Sequence, residues 1–584
     1  MQLITGFLVT FLLSLLLTAV VRKFARARGI VALPRKDRWH QKPTALLGGI
    51  AVYATFVTGW LAFARDQWEA LPVILASTVL FVIGLIDDLK PLKPYIRLVA
   101  QLVLAAVVVY SGLVLPWTQL AVVNDLITIF WLVGITNAVN LLDNMDGLAG
   151  GITLISCVFL VITFVVSGQT SEAMLPILLG GAVAGFLVFN FNPASIFMGD
   201  CGSTFLGFAL GGLALLSDYG RTRNVTAVFF TPVLILMIPI LDTCLVTVTR
   251  KLAGRSVAQG GRDHTSHRLV ALGMSERRAV LMLYLFATIS GSLSMMVRML
   301  RQEVILLLIP AFALVVLFLG LYLGKVRVYE EGAQPTGNAI LRGIWDFTYK
   351  RRIFEVLLDV VLVAMAYYGA YLIRFDGEMP GEQMQVVLRT IPLVIIIQLP
   401  FFLLMGVYRG LWRYTGISDL MTIAWSVLAG TVFSTMTVML IYNFKGPSRG
   451  ASILYGMLLL LLIAASRLSF RMIPALIGSR TVFRPDARPV LIYGASDSSE
   501  ILIREILSNP DHGYRPVGFV DEDNRMAGKV IHGYRIFDVQ EMPAVIREHG
   551  INEVLIPSLR VSDSLLDNLR TLGVSPRRMN IRFE

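Results

Sequence analysis

The chain has 584 residues, of which 56% are hydrophobic and 15% are charged, and its mean hydropathy is +0.71. This composition excludes an ordinary soluble domain and is typical of a membrane protein with many spans. The formal net charge is +12, but the basic residues cluster in short segments between apolar runs, as in cytoplasmic loops. We therefore expect a lipid bilayer and no nucleic acid as partner, and the three cysteines give neither a disulfide framework nor a metal-ligand spacing.

The first part of the chain contains eleven apolar runs of about the length that crosses a bilayer. We interpret the uncharged first run as a retained span, because it lacks a basic leader and a cleavage site. The predicted spans lie near residues 2–21, 45–64, 71–86, 96–115, 121–139, 149–168, 174–191, 203–217, 227–248, 279–297 and 303–324.

The loops between these spans alternate between the two sides of the membrane. With residue 1 outside, the basic loop 22–44 lies inside, where Lys and Arg are favoured. The same alternation places the loops richest in Asp, Asn, His and Arg on the cytoplasmic side. These loops are 87–95, 137–148, 191–202 and 249–278.

A second part of the chain follows a polar linker. Four more apolar runs are predicted near 353–373, 387–407, 419–442 and 451–466, and the tail then alternates strand-like and helix-like patterns. We predict a polytopic α-helical membrane protein, with about eleven plus four transmembrane helices and a C-terminal cytoplasmic α/β Rossmann-like domain. The predicted boundaries are 1–324, 325–352, 353–466 and 467–584.

Polar side chains at the cytoplasmic span ends are the candidate site. A single Asp at a helix end can be a cap, and a single His can be an ordinary surface residue. Five carboxylates and two histidines on one membrane face are harder to explain in that way, because clustered carboxylates repel one another unless a cation neutralises them. Oxygen ligands suit Mg²⁺ or Mn²⁺, and nearby His and Arg suit a pyrophosphate. The candidates are Asp87, Asp88, Asn137, Asn140, Asp143, Asp146, Asp200, His264, His267 and Arg268.

Several classes of function are excluded or left open by these patterns. The chain has no Walker A loop and no H-E-x-x-H element, which argues against a P-loop ATPase and a zinc protease. A metal site with basic residues at a membrane surface favours phosphoryl transfer between a soluble nucleotide and a lipid phosphate. A transporter and a scaffold that recruits glycan-assembly enzymes are the alternatives, although transporter sites lie nearer the membrane midplane.

The order and spacing of these segments resemble the polyprenyl-phosphate N-acetylhexosamine-1-phosphate transferase family over roughly residues 1–324. The resemblance is carried by 137-NAVNLLDNMDGLAGG-151, 197-FMGDCGS-203, 264-HTSHR-268, 40-HQKPTALLGG-49 and 239-PILDT-243. It implies a bacterial inner-membrane enzyme that transfers a sugar-1-phosphate from a UDP-HexNAc, favoured to be UDP-GlcNAc, to undecaprenyl phosphate. Release of UMP, a need for Mg²⁺ and a homodimer are also implied.

The resemblance also implies roles for residues at matching positions. Asp200 is expected to bind the metal together with Asp88, and Asp87 to accept or orient the proton of the lipid phosphate. Phe197 is expected to stack on uracil. The remaining expected contacts with the nucleotide, the diphosphate or the sugar come from Lys42, Thr44, Asn140, Asp143, Asp146, His264, His267 and Arg268. Direct attack by the lipid phosphate and a covalent Asp intermediate both remain open.

Two departures from the family pattern concern the donor. Many relatives have Asp-Gly where this chain has Asp143 and Asn144, so contacts there are expected to differ. The histidine segment is H-T-S-H-R rather than a run of three histidines. These departures affect the choice of sugar more than the reaction.

Residues from about 350 resemble the N-terminal part of polysaccharide-biosynthesis nucleotide-sugar epimerase/dehydratases, with 490-VLIYGASDSSEILIREI-506 as one matching element. No Y-x-x-x-K segment follows, so we expect no dehydratase activity. The dinucleotide pattern G-x-G-x-x-G is reduced to Gly494. We expect an interaction or regulatory role, with a nucleotide contact at Gly494, Ser496 and Asp521 as the alternative.

Overall fold

The computed structural model describes residues 1–32, 43–217, 225–252, 261, 263–324, 347–408, 416–443, 447–477, 487–508, 512–522, 526–557, 569 and 571–579. Within these residues, ten helices are long and apolar enough to cross a membrane, or eleven if one bent pair counts as a single span. Three further apolar helices are shorter. The prediction of a polytopic helical membrane protein with a C-terminal α/β domain is confirmed.

The N-terminal helices follow the predicted spans closely, because each apolar run ends at a polar or glycine-rich turn. A short antiparallel ribbon, β1 (Val31–Ala32) with β2 (Thr44–Ala45), precedes the second helix. The helices are α1 Gln2–Ala27, α2 Gly48–Phe63, α3 Leu71–Leu89, α4 Pro94–Tyr110, α5 Ala121–Leu142, α6 Leu148–Val166, α7 Met174–Asn190 and α8 Gly199–Leu215.

Helix α8 lies in the interior and packs against α2, α3 and α5. Glycines bring the backbones into contact: a Cβ at Gly49 would lie 2.4 Å from the backbone nitrogen of Gly202. A Cβ at Gly84 would lie 2.6 Å from the Cα of Cys201. Small residues allow such close packing between membrane helices, and here they fix the start of α8 against two neighbours.

The apolar run near 227–248 forms two helices rather than one straight span. Helix α9 (Val225–Ile235) and helix α10 (Met237–Leu252) are bent by 77° at their junction. Pro239 has no N–H to donate to the carbonyl of Ile235, so the helical bonding is interrupted there. Hydroxyls from neighbouring helices satisfy the freed carbonyls: Ser156 Oγ donates to Ile235 at 3.2 Å and Ser290 Oγ to Leu234 at 2.6 Å.

The second group of membrane helices begins before residue 353 and ends after residue 466, which are the boundaries predicted for it from the sequence. Tyr368 donates to the carbonyl of Glu303 at 3.1 Å, which links the second group of helices to the first. A buried ion pair joins Arg467 to Asp359 at 2.7 Å. The helices are α11 Thr265–Ala271, α12 Glu276–Met299, α13 Gln302–Gly324, α14 Phe347–Arg374, α15 Gly381–Leu404, α16 Ile417–Ile441 and α17 Arg449–Ile477.

The chain divides into two compact units, Met1–Ala475 and Leu476–Glu584. The predicted boundary at 466 therefore falls inside α17, because its apolar pattern continues as a helix past that point. The first unit contains both groups of membrane helices, which meet where α13 packs on α14. Most of the predicted linker 325–352 lies outside the described residues.

The second unit is an α/β domain around a six-stranded sheet with the order β5-β6-β4-β3-β7-β8. All neighbouring strands are parallel except β5 and β6, as the alternating strand and helix patterns predict. Apolar clusters cover both faces of the sheet. Its elements are β3 Arg488–Tyr493, α18 Asp497–Ser508, β4 Tyr514–Asp521, β5 Val530–Ile531, β6 Tyr534–Asp538, α19 Met542–His549, β7 Glu553–Ile556 and β8 Ser575–Arg578.

Candidate active site

Carboxylates from two helix ends meet around one guanidinium. Asp87 lies near the end of α3, Asp200 in the first turn of α8, and Arg97 in the first turn of α4. The Nη1 of Arg97 donates to Asp87 Oδ2 at 2.7 Å and to Asp200 Oδ2 at 3.0 Å. From α5, the amide of Asn140 donates to Asp200 Oδ1 at 2.9 Å. The structure thus brings together three of the residues that the sequence singles out.

The two carboxylates of this cluster differ in exposure. The side chain of Asp200 is 38% exposed, whereas that of Asp87 is 7% exposed and its other oxygen accepts from the backbone N–H of Leu92 at 2.5 Å. A ligand can therefore reach Asp200 more readily than Asp87.

Asp88 lies beside this cluster and holds the start of α8. Its Oδ1 accepts from the backbone N–H of Asp200 at 2.8 Å, and its Oδ2 accepts from that of Cys201 at 3.0 Å. These N–H groups have no partner within the helix, so the carboxylate acts as its cap. Gly199 has φ +79°, and a Cβ there would lie 2.6 Å from Asp88 Oδ2. The contacts of Asp88 thus give it a positioning role for Asp200 besides its predicted catalytic and metal-binding roles.

The turn after α5 contacts the loop that precedes α8. Asp143 ends α5, and its backbone N–H donates to the carbonyl of Asn140 at 3.3 Å. The Oδ2 of Asp146 accepts from the backbone N–H of Ala194 at 2.8 Å and from the amide of Asn192 at 3.4 Å. These bonds indicate that Asp146 orders this loop, while its predicted contact with the nucleotide stays a prediction.

The entry loop reaches the same region through backbone bonds. The N–H of Phe197 donates to the carbonyl of Ala45 at 2.8 Å, and the N–H of Gly48 donates to the carbonyl of Phe197 at 2.9 Å. Thr44, with its residue 5% exposed, therefore lies next to this loop, and Phe197 is half-buried. Lys42, the other predicted residue of the entry loop, lies outside the described residues.

The histidine segment begins the short helix α11. The Oδ1 of Asp242 accepts from the N–H of Thr265 at 2.6 Å, and its Oδ2 lies 2.8 Å from His264 Nδ1. His264 and His267 are 5% and 4% exposed, and their ring centres are 5.8 Å apart. Because both oxygens of Asp242 contact the start of α11, this carboxylate orients the imidazole of His264.

Arg268 follows the histidines but points into protein. It is 4% exposed, and its guanidinium donates to the carbonyls of Asp263 at 2.8 Å and Leu323 at 2.9 Å. Asp263 in turn makes a two-point ion pair with Arg250, with both bonds at 2.7 Å. These contacts indicate that Arg268 anchors the segment to α13, while its predicted contact with the diphosphate stays a prediction.

The donor set at the cluster fits a hard divalent cation. Asp87 and Asp200 each place an oxygen close to the same atom of Arg97, so the two carboxylates can share one positive group. Mg²⁺ is usually held by one or two carboxylates together with water and substrate phosphates. Within the described part of the chain, no three or more His, Cys, Asp or Glu side chains are grouped to hold a metal.

The turn after β3 contains the residues predicted to meet a nucleotide. Gly494 has φ +83°, the N–H of Ala495 donates to Asp521 Oδ2 at 2.5 Å, and the hydroxyls of Ser496 and Ser499 lie 3.2 Å apart. Glu522 accepts from the hydroxyl of Tyr493, next to the turn. Burial and then the nearby Glu522 carboxylate raise the pKa of Tyr493 above its usual range, which keeps its proton in this bond.

Three features of the site are not among the residues and contacts predicted from the sequence. Arg97 stands ten residues after Asp87, and a single cation in the first turn of an apolar helix is the signal for it. Asp242 is a carboxylate inside an apolar run, which is itself a signal of function. The third feature is a bond from Ser266 Oγ to Asn144 Oδ1 at 2.7 Å, which no spacing in the sequence indicates.

Residues 70–218 match the family model described as Glycosyl transferase family 4, and residues 404–574 match one described as CoA-binding domain. The chain is 32% identical over 300 residues to a Bacillus subtilis protein named probable undecaprenyl-phosphate N-acetylglucosaminyl 1-phosphate transferase, covering 49% of this chain and 83% of that protein. It is 34% identical over 314 residues to the decaprenyl-phosphate N-acetylglucosaminephosphotransferase of Mycobacterium tuberculosis H37Rv, with 47% and 76% covered. A Yersinia pestis protein named undecaprenyl-phosphate alpha-N-acetylglucosaminyl 1-phosphate transferase is 28% identical over 330 residues, with 54% and 88% covered.

Proposed function

Because the chain belongs to glycosyl transferase family 4, we propose that it transfers an N-acetylhexosamine-1-phosphate from a UDP-sugar to undecaprenyl phosphate. GlcNAc-1-phosphate is the favoured group, since the relatives described above are named for N-acetylglucosamine. The product is the first lipid-linked sugar of a surface glycan. The transporter alternative gains no support from these relatives.

The observation that carries this proposal is the cluster of Asp87, Arg97, Asn140 and Asp200. It places a fixed positive charge and a neutral amide within hydrogen-bond distance of the reachable carboxylate of Asp200 at the ends of membrane helices. Phosphoryl transfer depends mainly on positioning and on neutralising charge, which these groups supply.

Asp200, the more exposed carboxylate, would hold Mg²⁺ together with water and substrate phosphates, and the ion would neutralise the diphosphate charge when bound. Asn140 orients the Asp200 carboxylate, Asp88 fixes the backbone that carries it, and Arg97 supplies positive charge for phosphate oxygens. The half-buried ring of Phe197 is suited to stacking on the base.

The proposed reaction is one exchange of bonds at phosphorus. An oxygen of the lipid phosphate forms a bond to the phosphorus that carries the sugar, the bond from this phosphorus to the bridging oxygen breaks, and UMP leaves with that oxygen. The sugar C1–O bond stays intact. Direct attack is favoured over a covalent intermediate at Asp87, because both oxygens of Asp87 already accept hydrogen bonds and little of the side chain is exposed.

We also propose where the protein lies in the cell and which partners it has. We place the protein in a bacterial inner membrane with the carboxylate cluster on the cytoplasmic side, where a UDP-sugar is available and where the basic loops are expected. A homodimer and contacts with glycan-assembly enzymes are suggested by the family resemblance alone.

The second family description implies coenzyme A, but the turn after β3 does not fit its pyrophosphate. The N–H of Ala495 already donates to Asp521, and the Glu522 carboxylate lies beside the turn. Fixed negative charge there repels a phosphate, and one of the turn's N–H donors is already taken. We therefore assign no coenzyme A chemistry to this turn and propose that the α/β domain binds partners.

Purified full-length chain with Mg²⁺, undecaprenyl phosphate and a panel of UDP-HexNAc donors tests the proposed function. We expect UMP release that requires the lipid, stops with EDTA and returns when Mg²⁺ or Mn²⁺ is added in excess. Folded protein that releases no UMP from any donor contradicts the proposal.

A further inference from the structure

We propose that Asn144 is a positioning residue of the donor site. Its side chain fixes the histidine helix α11 to the end of α5, which also orients Asp200. The inference rests on the proposed transferase function and adds to it a residue outside the set of predicted site residues.

Both polar atoms of the Asn144 side-chain amide make hydrogen bonds. Its Nδ2 donates to the carbonyl of Leu141 at 2.8 Å, and its Oδ1 accepts from Ser266 Oγ at 2.7 Å. The Leu141 carbonyl is one of the last four of α5, which have no partner within the helix. A glycine can make neither bond, so the side chain provides a link that Asp-Gly sequences lack.

The position of α11 depends on hydrogen bonds to other parts of the chain. The helix has seven residues, Thr265–Ala271, which is too short to be stable in isolation. Asp242 holds its start from α10, and Asp263 holds Arg268 from the residue just before the histidines. Asp242 and Asp263 lie 23 and 5 residues from the residues they contact, and Leu323 lies 55 residues from Arg268, whereas Asn144 is 122 residues from Ser266.

The end of α5 contacts both α8, which carries Asp200, and α11, which carries the histidines. Asn140, four residues before Asn144, donates to Asp200 at 2.9 Å. One short stretch of backbone therefore sets the position of the reachable carboxylate and of the helix that carries His264 and His267. A nucleoside diphosphate sugar that contacts both sides would bind less well if this spacing varied.

Burial makes the bond difficult to replace with water. Ser266 is 1% exposed in the intact protein, so its hydroxyl has little access to solvent there and depends on Asn144 for a partner. A buried donor that loses its partner is destabilising, and movement of α11 is the way to relieve it.

The alternative is that Asn144 only caps α5 through Leu141. Removal of the Ser266 hydroxyl distinguishes the two, because that hydroxyl takes no part in the cap. If Asn144 acts only as a cap, Ser266→Ala leaves donor binding unchanged.

The test compares Asn144→Ala, Ser266→Ala and the double variant in the full-length chain. We expect each single variant to raise the KM for UDP-GlcNAc by about five- to tenfold, the effect of one neutral hydrogen bond, with little change in the KM for undecaprenyl phosphate. The double variant should be no worse than the more affected single variant. Ser434→Ala removes a buried hydroxyl in α16 that bonds within its own helix, and it serves as the matched control.

Hydrogen exchange gives a readout that does not depend on turnover. Asn144→Ala should speed exchange of the α11 amides relative to the Ser434→Ala control, even if no donor is turned over. Effects that multiply in the double variant, equal changes in both KM values, or unchanged exchange in α11 overturn the inference. If Asn144→Ala does not fold, Ser266→Ala decides the question by the same measurements, and absence of UMP release by the unaltered chain counts against the transferase function instead.

Discussion

Replacing Asp200 with Asn tests the carboxylate cluster with the smallest change of shape. Both oxygens of Asp200 accept hydrogen bonds, one from Asn140 and one from Arg97. The Asn amide has one donor group, which must face one of these two donors. A hydrogen bond to a charged group contributes about 1.5–3 kcal/mol, and each interval of about 1.4 kcal/mol corresponds to about tenfold in rate.

Loss of the hydrogen bond from Arg97 alone would lower kcat/KM by roughly ten- to a hundredfold, and loss of a metal ligand would lower it further. We therefore expect kcat/KM for UMP release to fall by at least about a hundredfold in Asp200→Asn, measured at a temperature at which thermal unfolding shows that the variant is still folded. Asp66→Asn is the matched control, because that side chain is 91% exposed and 3.8 Å from its partner Arg65. Activity of Asp200→Asn close to that of Asp66→Asn would refute the role of the Asp200 charge.

Three further predictions concern stability and ligands. Gly199→Ala should destabilise the fold by about 1–3 kcal/mol, because the residue has φ +79° and its Cβ would meet Asp88; thermal unfolding checks this against Gly134→Ala, which has open space. Arg467→Met should cost about 3–5 kcal/mol, because it leaves Asp359 charged and buried, and Asp359→Leu in the same chain should recover much of this; equal unfolding temperatures for the single and double variants would contradict it. Equilibrium dialysis with labelled coenzyme A should show no saturable binding to the full-length chain.

Hydropathy predicted the membrane helices well, since the bilayer requires long apolar segments whatever the tertiary contacts are. It did not predict the break between α9 and α10. There the effect of Pro239 depends on hydroxyls from Ser156 and Ser290, which reach the junction only after the helices have packed. The predicted boundary at 466 lies within α17, which continues to Ile477 as a less apolar helix.

The sequence predicted several residues of the candidate site but few of the contacts that these residues make. The spacing of Asn140 and Asp200 relative to the span ends placed both on one membrane face, and the structure joins them by a hydrogen bond. The partners of Asp88 and Arg268 could not be read in this way, because their hydrogen bonds go to backbone groups that are far away in sequence. Residue type alone does not distinguish an arginine that binds a ligand from one that anchors a helix.

The glycine contacts of α8 determine which parts of the protein can move during turnover. Where the backbones of α2 and α3 touch α8 at Gly49 and Gly84, a shift of one helix requires several tightly packed contacts to change at once. Asp200 is therefore carried by a helix that we expect to stay in place during turnover. Helix α11 is held to α10, α13 and the end of α5 by side-chain hydrogen bonds, and it packs Leu269 into an apolar cluster. We expect α8 to be the fixed reference against which substrates are aligned.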